Sequence, residues 1–201
     1  MAKIDTILFD LGGVLVDYAH ENTIQELAVH TDYTPRQLAS MMEVVGDDSL
    51  EKGEMTGREF FDRLSQEVGF ALDYGEFCAI WNQDFGPMPG MEAVVAKLVE
   101  SFQVCLVSNT NDIHFPYCKK HFPIVSLLHR LFVSYELNAR KPEPEVFEKV
   151  LKACSAKPEH TVFVDDLPEN VECARKLGIK GLYFTGVKKL KADLTSLLAS
   201  A

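Results

Sequence analysis

Five short, unbroken apolar runs recur along this sequence, at residues 6–10, 104–107, 131–134, 161–164 and 181–184. They are rich in Val, Ile, Phe and Tyr, and sequence long enough for a helix separates each from the next. A strand with one wet face alternates apolar and polar residues, whereas a strand buried on both faces reads as a continuous run. The pattern therefore predicts an α/β protein: a parallel sheet with helices on both faces.

The intervening segments carry helix signals. Pro144 opens a stretch in which Val146, Phe147, Val150, Leu151 and Cys154 recur at helical spacing. Asn170 to Leu177 places Val171, Ala174 and Leu177 on one face and stops at Gly178. Met91, Val94, Val95, Leu98 and Val99 form a third stripe. The block from Tyr18 to Phe85 reads differently, as helices without a strand. Thr34-Pro35-Arg36-Gln37 and Thr56-Gly57-Arg58-Glu59 have the form of capping boxes, Asp73 is placed to cap a further helix, and an earlier one centres on Ile24 and Leu27. Gly86-Pro87-Met88-Pro89-Gly90 then breaks the helical pattern. The expected organisation is an α/β body from residues 1–17 and 86–201, with an all-α insertion at residues 18–85.

With 201 residues and 47% hydrophobic content, the chain has enough apolar material for a sizeable core without a disulfide or metal staple. Its net charge of −10 argues against nucleic-acid binding through bulk electrostatics, and Lys119-Lys120 and Lys188-Lys189 are too short to make a basic patch. Met1-Ala2-Lys3 leads straight into the first apolar run without a cleavable leader, and no run approaches the ~20 residues that span a bilayer. Cys78, Cys105, Cys118, Cys154 and Cys173 are odd in number and scattered, as expected of free thiols in a reducing cytoplasm. A cytoplasmic protein without membrane partners is expected; oligomeric state is not legible.

Ligands of such sheets sit at the carboxyl ends of the strands. The first run ends at Asp10, followed by Leu11-Gly12-Gly13; the second leads to Ser108-Asn109-Thr110; the fourth ends in Asp165-Asp166, with Asn170 four residues on. Lys141 follows the third. Clustered carboxylates repel unless a cation joins them, and hard oxygen donors of this kind suit Mg²⁺ beside a substrate phosphate. A carboxylate can also attack phosphorus to form an aspartyl phosphate, provided a lysine and a metal neutralise the phosphoryl oxygens. Gly12-Gly13 lets the backbone turn sharply beside an anion. The aromatic residues Phe60, Phe77, Trp81 and Phe85 read as packing of the insertion, and His20 and His114, near the site loops, as surface residues.

Phe9-Asp10-Leu11-Gly12-Gly13-Val14-Leu15, Val107-Ser108-Asn109-Thr110, Arg140-Lys141-Pro142 and Phe163-Val164-Asp165-Asp166-Leu167-Pro168-Glu169-Asn170 resemble, in order, the four motifs of the haloacid dehalogenase (HAD) superfamily. The resemblance covers the whole chain, and the helical insertion stands where that superfamily carries its α-helical cap on a Rossmann-like core. Within the superfamily it is closest to bacterial sugar phosphatases of the α-D-glucose-1-phosphate phosphatase type. The resemblance implies Asp10 as nucleophile and metal ligand, with the Gly12 carbonyl a further ligand. It implies Ser108, with Asn109, as phosphoryl binder, and Lys141 as the cation that neutralises phosphate and keeps Asp10 ionised. Asp166 would be the main carboxylate on Mg²⁺, Asp165 a second ligand or an acceptor behind it, and Asn170 a support. The substrate would be a small phosphorylated metabolite, plausibly a sugar phosphate.

One departure matters. Phosphatases of the superfamily usually carry a second Asp two residues after the nucleophile, as general acid and then base. Here that position is Gly12. Such proton transfer contributes typically 10²–10⁴-fold, so either another group serves, or the reaction is slow, or the leaving group needs little help. Asp17, where the chain enters the insertion, is a candidate substitute, although a hinge or capping role suits it better. Two alternatives remain at this level: a 2-haloacid dehalogenase-type hydrolase, and a HAD-fold binding or regulatory protein without catalysis.

Overall fold

The computed structural model describes residues 3–18, 20–46 and 48–199. Strand β1 (Thr6–Phe9) runs into a tight turn and a short strand β2 (Val16–Tyr18). Four helices follow: α1 (His20–Ala28), α2 (Pro35–Gly46), α3 (Gly57–Val68) and α4 (Tyr74–Asn82). A short strand β3 (Phe85–Pro87) returns the chain to α5 (Met91–Leu98), β4 (Gln103–Ser108), α6 (His114–His121) and α7 (Pro123–Ser126). Next come β5 (Arg130–Val133), α8 (Ser134–Leu137) and α9 (Pro144–Cys154). A 3₁₀ turn at Pro158–His160 precedes β6 (Thr161–Asp165), α10 (Pro168–Lys176), β7 (Lys180–Tyr183) and α11 (Val187–Ala199).

Strands β5-β4-β1-β6-β7 form one parallel sheet in that order. Each of the five apolar runs supplies one of them. The continuous runs have the reason anticipated: both faces are covered. Ile7, Phe9, Val104, Leu106, Val162 and Val164 pack against α5, α6 and α11, while Leu8, Cys105, Val107 and Phe163 pack against α9 and α10. Helix α9 begins at Pro144 and buries Val146, Phe147, Val150 and Leu151. Gly178, just past α10, holds φ +85°, the left-handed conformation that closes a helix.

Helices α1–α4 enclose a second apolar cluster, in which Trp81 lies 5.1 Å from Phe60 and 5.0 Å from Phe77, ring centre to ring centre. All three predicted caps are present. Thr56 accepts from the Glu59 N–H and Glu59 accepts from the Thr56 N–H; Asp73 and Glu76 do the same at α4. Thr34 and Gln37 make the reciprocal bonds at α2.

The expectation of no strand in residues 18–85 needs correction at its two edges. Val16–Tyr18 pairs antiparallel with Phe85–Pro87, so Tyr18 and Phe85 are strand residues, facing each other with rings stacked at 4.1 Å. Three residues are too few for an alternation signal, and Gly86-Pro87 disfavours strand, so only the long-range pairing makes one. This ribbon is the double crossing between the sheet and the helical insertion.

Candidate active site

The register of the sheet assembles the site. Phe9 pairs with Leu106 on one side and Val164 on the other, so β4, β1 and β6 end together and deliver Ser108, Asp10 and Asp165 to one edge. This is the carboxyl edge, where the strand order reverses. The turn after Asp10 is compact: the Leu11 carbonyl accepts the N–H groups of Val14, Leu15 and Val16.

Lys141 is the centre of the charge arrangement. Its Nζ lies 2.7 Å from Asp10 Oδ1 and 2.6 Å from Asp165 Oδ2, and its side chain is 1% exposed. Asn109 fixes the lysine's backbone from both sides: Asn109 Nδ2 donates to the Lys141 carbonyl and Lys141 N donates to Asn109 Oδ1, both at 2.8 Å. Asp165, fully buried, also accepts from Asn170 Nδ2 at 3.0 and 3.1 Å and from Leu167 N at 2.8 Å. Ser108 is buried beside them, its hydroxyl donating to the Asn109 carbonyl at 3.3 Å.

Oxygens of Asp10, Asp165 and Asp166 lie within 4.8 Å of one another. Three carboxylates against one ammonium leave a formal charge of −2. Burial pushes the Asp10 carboxyl up to about 7; Lys141 pulls against that shift and Asp165 adds to it. Burial also raises Asp166, reinforced by Asp165. For Lys141 burial opposes the charge, but Asp10 and Asp165 outweigh it, and the ammonium is held above its usual value. The donors are hard oxygens, the deficit is two charges, and Gly13 makes room for the cluster. A Cβ on Gly13 would fall 2.3 Å from Asp166 Oδ2, and Gly13 holds φ +71°. These residues fit a divalent cation of the Mg²⁺ type.

Gly12 and Gly13 do different work. Only Gly13 needs a positive φ and a missing Cβ. At Gly12 the nearest atom to an added Cβ is Tyr18 Cβ at 3.9 Å, ordinary contact distance. The backbone thus accepts a side chain at position 12.

The model of the haloacid dehalogenase-like hydrolases matches residues 4–178. The chain belongs to that family. Similarity to two phosphatases extends over most of each chain. A D-ribitol-5-phosphate phosphatase of Bacteroides thetaiotaomicron is 27% identical over 205 residues, 98% of this chain and 100% of the relative. A sesquiterpene phosphatase of Aspergillus oryzae is 28% identical over 182 residues, 89% of this chain and 88% of the relative. A HAD family enzyme of B. thetaiotaomicron, solved with magnesium and inorganic phosphate, superposes with a TM-score of 0.82 at 29% identity, covering 91% of this chain and 95% of that one.

All eight residues singled out from the HAD motifs gather at this edge or support it. The Asn109 side chain, expected beside phosphate, is engaged with the Lys141 backbone instead. Asp17 is exposed, and its carboxylate accepts from the adjacent Tyr18 N–H at 3.0 Å.

His114 is not a surface residue. It is 7% exposed, and its ring joins Tyr18 OH at 3.3 Å to Asn82 Oδ1 at 2.9 Å, tying β2 to α4. These two pairings, between segments far apart in sequence, bring it inside. The side chain of His20 lies outside the described residues.

Sequence reasoning also missed the clasp beside Lys141. Arg140 pairs with Asp48 and, at 2.8 Å, with Glu51; Lys52 pairs with Glu143 at 2.7 Å. Asn138 Nδ2 donates to the Lys52 carbonyl at 3.0 Å, and Gly53 packs its bare Cα against the Tyr135 carbonyl. The loop between α2 and α3 thereby docks on the segment that carries Lys141. Arg140 stood inside a motif, but nothing local marked its partners.

Proposed function

We propose that the chain is a Mg²⁺-dependent phosphomonoesterase acting on a small phosphorylated metabolite, with a sugar phosphate as the favoured class. One observation carries the reading: three carboxylates cluster at the ends of two adjacent strands, β1 and β6, and two of them, Asp10 and Asp165, pair with one buried lysine. A site that displaces halide from carbon needs one carboxylate nucleophile and has no use for the other two. The phosphatase relatives and the magnesium and phosphate complex of the B. thetaiotaomicron enzyme support the same class.

In this reading an Asp10 carboxylate oxygen attacks phosphorus in line, the bond to the alcohol oxygen breaks, and an aspartyl phosphate results. Water then attacks phosphorus and the Asp10–phosphorus bond breaks, returning the carboxylate and releasing inorganic phosphate. Lys141 pulls the Asp10 carboxyl back toward its ionised form against the cost of its burial and faces the phosphoryl oxygens. Ser108 donates to those oxygens. Asn109 fixes the lysine's backbone, and Asn170 holds Asp165. Asp10, Asp166 and the Gly12 carbonyl would hold Mg²⁺, with Asp165, already bound by Lys141 and Asn170, steadying the set. The cation supplies neutralising charge for the transferring phosphoryl group. Asp165 leaves the direct ligand set only if its hydrogen bonds persist in the loaded enzyme.

Gly12 leaves the departing oxygen without a carboxylic acid beside it. A leaving group that tolerates this, such as an anomeric oxygen, suits the site best. The helical insertion, residues 18–85 by our reading, acts as the cap that shapes the leaving-group side and excludes water. A cytoplasmic location fits this metabolic role.

The test is phosphate release from a panel of sugar and alditol phosphates, with Mg²⁺ and with a chelator, for the native protein and D10N. Metal-dependent release that disappears in D10N is the expected result. Halide release from a 2-haloacid, with no phosphate release from any ester, would overturn it.

A further inference from the structure

Away from the carboxylate cluster, β4 and the last turn of α9 meet at two thiols. Cys105 Sγ and Cys154 Sγ lie 3.7 Å apart. Cys105 is fully buried in the middle of the sheet, whereas Cys154, the final residue of α9, is only half-buried. A disulfide bond measures roughly 2.05 Å, so closing one requires an approach of about 1.7 Å, within the reach of side-chain rotation and a small shift of a helix end. Among the described residues no other two sulfurs are in such contact.

The two thiols differ chemically. Arg130, at the start of β5, donates from its guanidinium to the Ala153 carbonyl, which places its charge beside Cys154. The contact with Cys105 holds the Cys154 thiol below its usual value against the effect of burial, and Arg130 adds to this. The same contact, together with burial, pushes Cys105 up. Burial alone raises Cys118 and is the main cause of the rise at Cys78 and Cys173. One partner is thus half-buried and inclined to the thiolate, and the other is a buried thiol in van der Waals reach. Attacking and resolving cysteines divide their work in this way.

We propose that Cys105 and Cys154 form a redox site that hydrogen peroxide converts to an intramolecular disulfide. The Cys154 thiolate attacks one peroxide oxygen and the O–O bond breaks. That oxygen stays on sulfur as a sulfenic acid, and the other leaves as hydroxide, taking up the proton lost from Cys154 to give water. The Cys105 sulfur then attacks the sulfenic sulfur, the S–S bond forms and the S–O bond breaks. The departing hydroxide takes the Cys105 proton as a second water. Two thiols lose two electrons and two protons, and the peroxide is reduced to two waters. The resulting bond joins the strand that ends at Ser108 to the helix that begins just beyond Lys141.

The test treats the reduced full-length protein with hydrogen peroxide, alkylates remaining thiols and maps peptides without reductant. The expected result is a Cys105–Cys154 cross-linked peptide, loss of two of the five thiols, and full recovery with dithiothreitol. In C105S, oxidation of Cys154 stops at a sulfenic acid that dimedone traps; in C154S, Cys105 stays reduced. The proposal is overturned if thiols are lost without that peptide. It is equally overturned if Cys154 in C105S stays unmodified at a peroxide dose that modifies Cys78 or Cys173. Circular dichroism reports whether each variant folds, and if C105S does not, the native cross-link decides alone.

Discussion

At the carboxyl edge of the sheet, Lys141, Asp165 and Asp10 are 1%, 0% and 8% exposed, and charge and hydrogen bonds hold them. In the helical insertion, Phe60, Phe77 and Trp81 are buried about as deeply, at 1%, 0% and 7%, and packing holds them. The first region works against stability, because two buried carboxylates share one ammonium with a third, half-buried carboxylate beside them. The second supplies stability and no charge. A residue's depth therefore says little about what its replacement does; the means by which its neighbours compensate for lost water decides the sign.

The largest effects should divide along that line. Replacing Lys141 with Met strands Asp10 and Asp165 without their cation. We expect a loss of about 3–5 kcal/mol in urea unfolding, together with loss of phosphate release. Phe77→Ala should cost a similar ~3–5 kcal/mol through the cavity it opens, yet leave Mg²⁺ binding to the folded protein intact by calorimetry. If Phe77→Ala abolished metal binding without lowering the melting temperature, the two regions would not be separate in the way described.

Smaller effects sharpen the account of the edge itself. Gly13→Ala drives a methyl group into the Asp166 carboxylate, so calorimetric Mg²⁺ affinity should fall ~10–100-fold. Gly12→Asp places its Cβ at ordinary contact distance from Tyr18 and supplies the missing proton donor. It should raise the rate of phosphate release from an ester of an ordinary alcohol by roughly 10-fold or more, and that of an anomeric phosphate less.

The smallest effect is on the metal-free protein, where D10N should be the more stable form at alkaline pH. Burial raises the folded Asp10 carboxyl from 3.8 to about 7. Its neutral form therefore favours folding, a contribution complete below the unfolded value and lost as pH rises through about 7. The amide is always neutral and keeps it. The melting temperature of D10N should exceed that of the native protein by roughly 2–4 °C at pH 8 and match it below pH 4. A variant less stable at pH 8 would contradict the charge account.

The sheet was legible because each buried strand is an unbroken apolar run, and the site because Asp10, Ser108 and Asp165-Asp166 each sit where such a run ends, with Lys141 just before the helix that opens at Pro144. Caps at Thr56 and Asp73 were legible for the same reason: the donor and acceptor are three residues apart. What could not be read depends on long-range pairing. Tyr18 meets Phe85, His114 meets Asn82, and Arg140 meets Asp48 and Glu51 only after the insertion has folded back on the sheet. The same holds for Asn109, whose amide is engaged with Lys141, 32 residues further along the chain. The separate duties of Gly12 and Gly13 also needed coordinates, since two adjacent glycines look alike until one is seen against the Asp166 carboxylate.

The central claim is that Asp10 is the group phosphorylated during turnover. The direct measurement is an acid quench of the Mg²⁺-loaded protein while it turns over a sugar phosphate, followed by peptide mass spectrometry. The account predicts one phosphoryl adduct, on the peptide that contains Asp10, absent from D10N. Steady phosphate release with no covalent adduct, or with the adduct on Ser108, would contradict it.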